Sequence, residues 1–219
     1  LKRWEGMRDL REPYTIEMQH AFDKSNTDCN IQIDTLEAAL SDWFAAGLSV
    51  GYRISEWAQP QQNKGNIRDP LRKVNGAISA FLLADVTFFK AQKVQVTTEE
   101  ALNIGVANLH RVRLRWRFQK NGENGETKTH LRNDKAVSLC MVRRMFSIVE
   151  RYIRLIGYDQ PDVPLAVYRN TPASTIHTIV SADISTKMRE LAKSVYNIHN
   201  TKNLELWSSH SLRVGACQI

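Results

Sequence analysis

The stretch from His110 to Gln119 constrains the fold of this chain more than any other. Val112, Leu114, Trp116 and Phe118 alternate there with Arg111, Arg113, Arg115 and Arg117. In an extended strand, successive side chains point to opposite faces. This period of two therefore specifies a strand with one apolar face and one arginine face. Asn121-Gly-Glu-Asn-Gly-Glu follows, with two Asn-Gly signals of a hairpin turn. Thr127-Lys-Thr-His-Leu-Arg then reads as the returning strand.

Most of the remaining chain reads as helical. A helix opens at Thr15, with Glu17 favourably placed in its first turn. From Asp34 to about Ala46, Leu36, Leu40, Trp43 and Phe44 fall at helical spacing. Ala45-Ala-Gly-Leu-Ser-Val-Gly is expected to interrupt that helix, and a short helix is expected from Arg53 through Trp57, limited by Pro60. Residues 60–75 are polar, hold two prolines and read as a loop. Short apolar runs at Ala80-Phe-Leu-Leu-Ala and Val86-Thr-Phe-Phe read as strands. Thr97 opens a turn or short helix. Ala136 to Ile156 has helical periodicity and stops at Gly157; Ser181 to Val195 is a further helix. The serines before Leu212 suit a helix entry, with His210 and Arg213 three apart on one face. The expected class is α+β: mainly helical, with a small antiparallel β-sheet or hairpin. Residues 1–12 read as a linker or entry segment, and residues 13–219 as one domain.

Charge sharpens the question of partners. Thirty Lys+Arg against 23 Asp+Glu give a net charge of +7. Residues 111–154 alone hold twelve basic side chains and four acids, which is +8. The basic surface is therefore expected to be local, as nucleic-acid binding requires; a solvated strand and helix face is the alternative. Cys29, Cys140 and Cys217 are odd in number and widely spaced, so neither a disulfide framework nor a zinc site is expected. No apolar run reaches the roughly 18 residues of a membrane span. The first thirteen residues lack the apolar core of a signal peptide, and an intracellular protein is expected. No Walker loop, HExxH, GxSxG or dinucleotide GxGxxG occurs, and the six histidines stand singly.

Two short runs stand out. Gly51, Arg53 and Glu56 form a G-x-R-x-x-E pattern, and His210, Leu212 and Arg213 form H-x-L-R. Between them lies the basic hairpin WRFQK-NGENGE-TKTHLR, and REPYT opens the sequence before them. In this order the four features resemble the tyrosine recombinase (phage integrase) family, over about residues 11–219. The wording S-S-H-S-L-R-V-G-A-C is more similar to recombinases of eukaryotic, Crypton-like mobile elements than to bacterial ones.

The resemblance implies a catalytic domain that breaks and rejoins DNA through a 3′-phosphotyrosine, without metal or nucleotide cofactor. Charge growing on the phosphoryl oxygens must then be neutralised by protein groups. By resemblance, Arg53 and Arg213 grip the phosphate, which suits a permanently charged forked guanidinium. A hairpin lysine protonates the leaving oxygen; Lys120 is the first choice and Lys128 the competitor. His210 hydrogen-bonds the phosphate or assists proton transfer, and Glu56 orients Arg53 or His210. Arg111, Arg113, Arg115, Arg117 and Lys128 are expected to contact DNA. DNA is the implied partner, a homo-oligomer on DNA is consistent with the family, and the compartment is the nucleus in a eukaryote or otherwise the cytoplasm.

The match departs from the family in places. Val214 stands where many members carry a second histidine, and no tyrosine follows Arg213. The N-terminal helical clamp of the family is also missing. The expectation is thus a catalytic domain truncated before its nucleophile. The alternative is a non-catalytic nucleic-acid-binding module derived from one. Taken singly, Arg53 and Glu56 are also a surface ion pair at i,i+3, and His210 with Arg213 an exposed helix start. Met141 and Met145 read as core.

Overall fold

The computed structural model describes residues 11–58, 73–74, 77–117 and 124–217. Thr15 and Thr35 each lie in extended backbone and accept a hydrogen bond from the amide three residues on, at Met18 and Ala38. Each thus satisfies one amide of a helix start that has no partner within its own helix. The helices so opened are α1 (Ile16–Asp28) and α2 (Leu36–Val50). Helix α2 is buried continuously from Ala39 to Leu48. A helix apolar around most of its circumference belongs at the centre of a domain, and α2 occupies that place.

The expected interruption at Ala45–Gly51 does not occur, because α2 runs through Gly47 to Val50. Gly47 is there for clearance: a Cβ on it would stand 3.3 Å from both the Leu212 side chain and the Tyr52 ring. The helix stops instead at Gly51, whose φ of +65° is left-handed and whose N–H bonds the Gly47 carbonyl at 2.8 Å. The short helix expected from Arg53 is a single 3-10 turn, Ile54–Glu56.

Beyond it lie a small hairpin, β1 (Lys73–Val74) with β2 (Ala77–Ile78), and the main sheet. The rest of the 60–75 loop falls outside the described residues. Ala80–Ala84 is not a strand. Leu82 makes one isolated bridge to Pro164, and Leu83–Asp85 closes a 3-10 turn because the Asp85 carboxylate accepts the Leu82 N–H at 2.9 Å. The main sheet is antiparallel, in the order β4 (Gln95–Val96), β3 (Val86–Phe89), β5 (Arg111–Arg115), β6 (Thr127–Leu131). In β5, Val112 and Leu114 are fully buried, as the alternation demands. The register sets Lys128 opposite Leu114 and His130 opposite Val112, so both start from the inward face.

Helix α3 (Thr98–Ile104) lies between β4 and β5. Helix α4 (Met141–Leu155) begins later than the periodicity implied, because Val137–Leu139 forms a separate 3-10 turn. A hairpin of β7 (Val167–Tyr168) and β8 (His177–Thr178) precedes α5 (Ser181–Tyr196), α6 (Thr201–Leu204) and α7 (Ser211–Ala216). The described residues therefore form an α+β fold of seven α-helices and a four-stranded antiparallel sheet. One continuous core runs from Tyr14 to Leu212. Among the described residues, no helix is long and apolar enough to cross a membrane.

Candidate functional site

The first candidate box is built around a buried carboxylate. Glu56 is 6% exposed, and a carboxylate removed from water needs donors on its oxygens. Its Oε2 accepts the Arg53 N–H at 2.8 Å and the Trp116 indole N–H at 3.3 Å; its Oε1 accepts Arg53 Nη1 at 3.1 Å. The 3-10 turn places residues 53 and 56 one above the other, which makes both Arg53 contacts possible. Glu56 also offers its backbone carbonyl to the Phe81 N–H at 2.8 Å. Beneath lies an aromatic bed in which Trp43 and Trp57 stack with ring centres 4.9 Å apart. Phe81 meets the Trp116 ring edge-on. Arg53 is thus held by backbone and side chain while its guanidinium stays partly exposed.

The second box is shaped by serines. Ser211 Oγ accepts the Ser208 N–H at 3.0 Å, Ser208 Oγ accepts the His210 N–H at 3.3 Å, and Ser185 Oγ accepts the Ser209 N–H at 3.2 Å. These bonds fix the turn that starts α7. Leu212 is buried, whereas His210 and Arg213 are exposed; neither side chain has a hydrogen bond or ion pair among the described residues. The Tyr14 N–H donates to the Ser211 carbonyl at 3.0 Å, which ties the 11–15 segment to this box.

The two boxes are neighbours in space. Leu212 lies against Gly47, and a Cβ on Gly51 would stand 3.3 Å from Ala216 Cβ. A Cβ on Gly215 would collide with the Tyr14 carbonyl oxygen. Glycines on both helices thus let α7 settle on the end of α2, two residues before Arg53. The structure joins the boxes at these small positions. Arg53 turns toward Glu56, and His210 and Arg213 face solvent.

The hairpin lysines fare differently. Lys120 lies outside the described residues. Lys128 stands 5.6 Å over the Trp116 ring, with Glu126 at 3.7 Å. Trp116 in turn donates to Glu56, so a contiguous path runs from Lys128 through the indole to Arg53. His130, one inward position further along β6, is half-buried; burial first, and the Lys128 charge second, push its pKa below the ordinary histidine value.

The arginine face of β5 is only partly free. Arg115 Nε and Nη2 bond Asp85 Oδ1 at 2.9 and 2.8 Å, and Arg117 bonds Asp85 Oδ2. Asp85 has no exposed side-chain surface. Arg113 lies 5.0 Å over the Phe89 ring and reaches Gln95 at 3.4 Å. Arg111 has no ion pair among the described residues. The expectation of four free arginines for DNA is thereby narrowed: one buried carboxylate holds two of them.

Two residues that shape the site were missed by sequence reasoning. Trp116 was counted only as core, although a buried indole N–H needs an acceptor. Asp85 follows the apolar run Phe81-Leu-Leu-Ala directly, and an acid so placed signals a buried, paired charge. Tyr196, the last tyrosine in the sequence, bonds Thr15 Oγ1 at 2.6 Å and stacks on Trp207. Among the described residues, no three His, Cys, Asp or Glu side chains group as a metal site. No protein-family model, curated protein or solved structure matches this chain.

Proposed function

We propose that this chain is a DNA-binding catalytic domain of the tyrosine recombinase type. Arg53 and Arg213 grip one phosphodiester, His210 contacts its oxygens, and a hairpin lysine protonates the leaving 5′-oxygen. Glu56 is a positioning residue for Arg53. The observation that carries this reading is the packing of α7 on the end of α2. It brings together two motifs about 160 residues apart in sequence. An exposed, unpaired Arg213 and a clamped, partly exposed Arg53 each suit recognition of a phosphate. Lys128 is linked to Arg53 through Trp116 and Glu56, which supports it as the hairpin lysine; Lys120 lies outside the described residues.

The phosphoryl-transfer chemistry requires a tyrosine. The resemblance places that tyrosine after the second box, and residues 214–219 hold none. A recombinase-derived nucleic-acid-binding module without chemistry is the second reading; it rests on the local positive charge of residues 111–154.

Duplex DNA binding measured by fluorescence anisotropy tests the proposal. Affinity should fall steeply with salt. The double variant Arg53→Ala/Arg213→Ala should bind about a hundredfold or more weakly, since each charged contact contributes about 1.5–3 kcal/mol. Circular dichroism of the variant should match the parent. Unchanged DNA affinity in a folded double variant would overturn both readings. A version extended to include a downstream tyrosine separates them: a covalent protein–DNA adduct supports the enzyme, and binding without adduct supports the module.

A further inference from the structure

The main sheet ends on an open strand, β6. At either end of its pairing with β5, the Trp116 N–H donates to the Glu126 carbonyl and the Arg132 N–H to the His110 carbonyl, both at 2.8 Å. Both bonds continue the register of the two strands. Hydrogen-bonded pairs alternate along an antiparallel ladder. The bonded pairs between are therefore Val112 with His130 and Leu114 with Lys128. The N–H and C=O groups of Thr127, Thr129 and Leu131 point the other way, off the sheet. β6 is the last strand in the order, and these groups have no partner among the described residues.

Open edges are commonly blunted by a proline, a bulge, a charge or a covering element. Thr127-Lys-Thr-His-Leu holds no proline and pairs without a bulge. Its one lysine lies over Trp116. Thr127 and Thr129 are exposed, and Leu131 keeps 65% of its surface. Arg111 stands directly opposite Leu131, and Arg113 opposite Thr129, so these side chains share the outward face. Neither arginine has a carboxylate partner among the described residues.

We propose that β6 takes up an extended acidic segment of a partner protein as an added strand of the main sheet. Main-chain hydrogen bonds then supply affinity, as in other recognition by strand addition. The edge alternates donors with acceptors. Each residue of a peptide supplies one of each, whereas nucleic-acid phosphates only accept and would leave the carbonyls unmatched. Charge selects the kind of peptide. An added strand lies two strand spacings from β5, about 10 Å. An arginine and a glutamate span that gap across the short threonines. Carboxylates opposite Thr129 and Leu131 thus come beside Arg113 and Arg111. A second copy of β6 would bring the same cations to the edge and lacks this complementarity.

Fluorescence anisotropy of the 219-residue chain with a short labelled peptide of alternating glutamate and valine tests this. Saturable binding is expected, and a lysine–valine peptide should not bind. Methylating the glutamate main-chain nitrogens keeps the charge but removes the donors that face β6. That peptide should bind about tenfold or more weakly. Thr129→Pro deletes one free N–H and spares every bond to β5, so it should melt near the parent, as edge strands tolerate proline. It should weaken the peptide about tenfold and leave duplex DNA binding unaltered. Should that variant fail to fold, the methylated peptide decides alone. Absence of binding or equal affinity for the methylated peptide would overturn the proposal. Loss of DNA affinity in folded Thr129→Pro, or a homodimer in sedimentation that Thr129→Pro dissolves, would assign the edge to another occupant and overturn it as well.

Discussion

The arginines of strand β5 and those of helix α4 are met by acids in different ways. At the end of the strand, one carboxylate, Asp85, serves Arg115 and also Arg117, two residues beyond β5, and the Arg115 side chain keeps 47% of its surface. Under the helix, two carboxylates, Asp23 and Asp42, serve Arg144 and Arg151, and Arg151 is wholly buried. Arg115 and Arg117 therefore keep a surplus of positive charge beside water, while Arg144 and Arg151 are matched in number by Asp23 and Asp42. Arg154 is likewise met by Asp34, and Arg132 and Arg143 share Asp134. Much of the charge that makes residues 111–154 look like a basic surface is answered from Asp23, Asp34, Asp42 and Asp85, all outside that segment. A local excess of arginine is thus a count of cations and not a map of potential. Partners distant in sequence decide how much of it reaches solvent.

The largest expected effect lies under the helix. Asp42→Asn leaves the buried Arg151 charge without its counterion, and breaking such a pair costs about 3–5 kcal/mol. Asp85→Asn strands two guanidinium groups that can still reach water, and should cost about 1–3 kcal/mol. Urea unfolding of the two variants measures both. A loss at Asp85 equal to or above that at Asp42 would break the contrast between balanced and surplus clusters.

Salt dependence of the proposed DNA binding sharpens the same contrast at smaller amplitude. Asp85→Asn releases Arg115 and Arg117 toward solvent, so the slope of log affinity against log salt should steepen by about 1–2. Asp42→Asn should leave the slope unchanged. Equal slopes in parent and Asp85→Asn would show that the strand arginines do not face the nucleic acid.

The smallest effect is a pH dependence confined to the sheet. The folded protein holds His130 neutral to a lower pH than the unfolded chain does, because burial disfavours the imidazolium. The unfolded state therefore binds the extra proton first. The His130 contribution is fully present above its unfolded pKa of about 6.5. It is lost as pH falls from there through the depressed folded value. Melting temperature followed from pH 7 downward should decline, and His130→Leu should flatten part of that decline. An unchanged profile in His130→Leu would remove the sheet from the pH response.

Parts of this architecture were legible before any coordinates. The β5 alternation, the Thr15 helix start, the end of α4 before Gly157 and the helix from Ser181 follow from local rules, and each is present. Local rules misjudged α2. The cluster Gly47, Ser49 and Gly51 reads as a break, yet Gly47 remains helical because α7 needs the room. Ala80–Ala84 has strand-like residues, but the Asp85 carboxylate turns the backbone at Leu82. For the candidate site, the sequence supplies residue types and their order only as a resemblance. The Trp116 indole on Glu56 and the Asp85 hold on two arginines were not, since each joins segments about 30 to 60 residues apart.

The sequence by itself determined the class of elements, the two-faced strand, the caps and the surplus of cations. These depend on neighbours within a few residues, where covalent geometry and side-chain period act directly. Only the tertiary structure decided which arginines stay free and that α7 rests on the end of α2, close before Arg53. Those outcomes follow from burial. A charge taken from water must find whichever acid the fold brings near, wherever that acid lies along the chain.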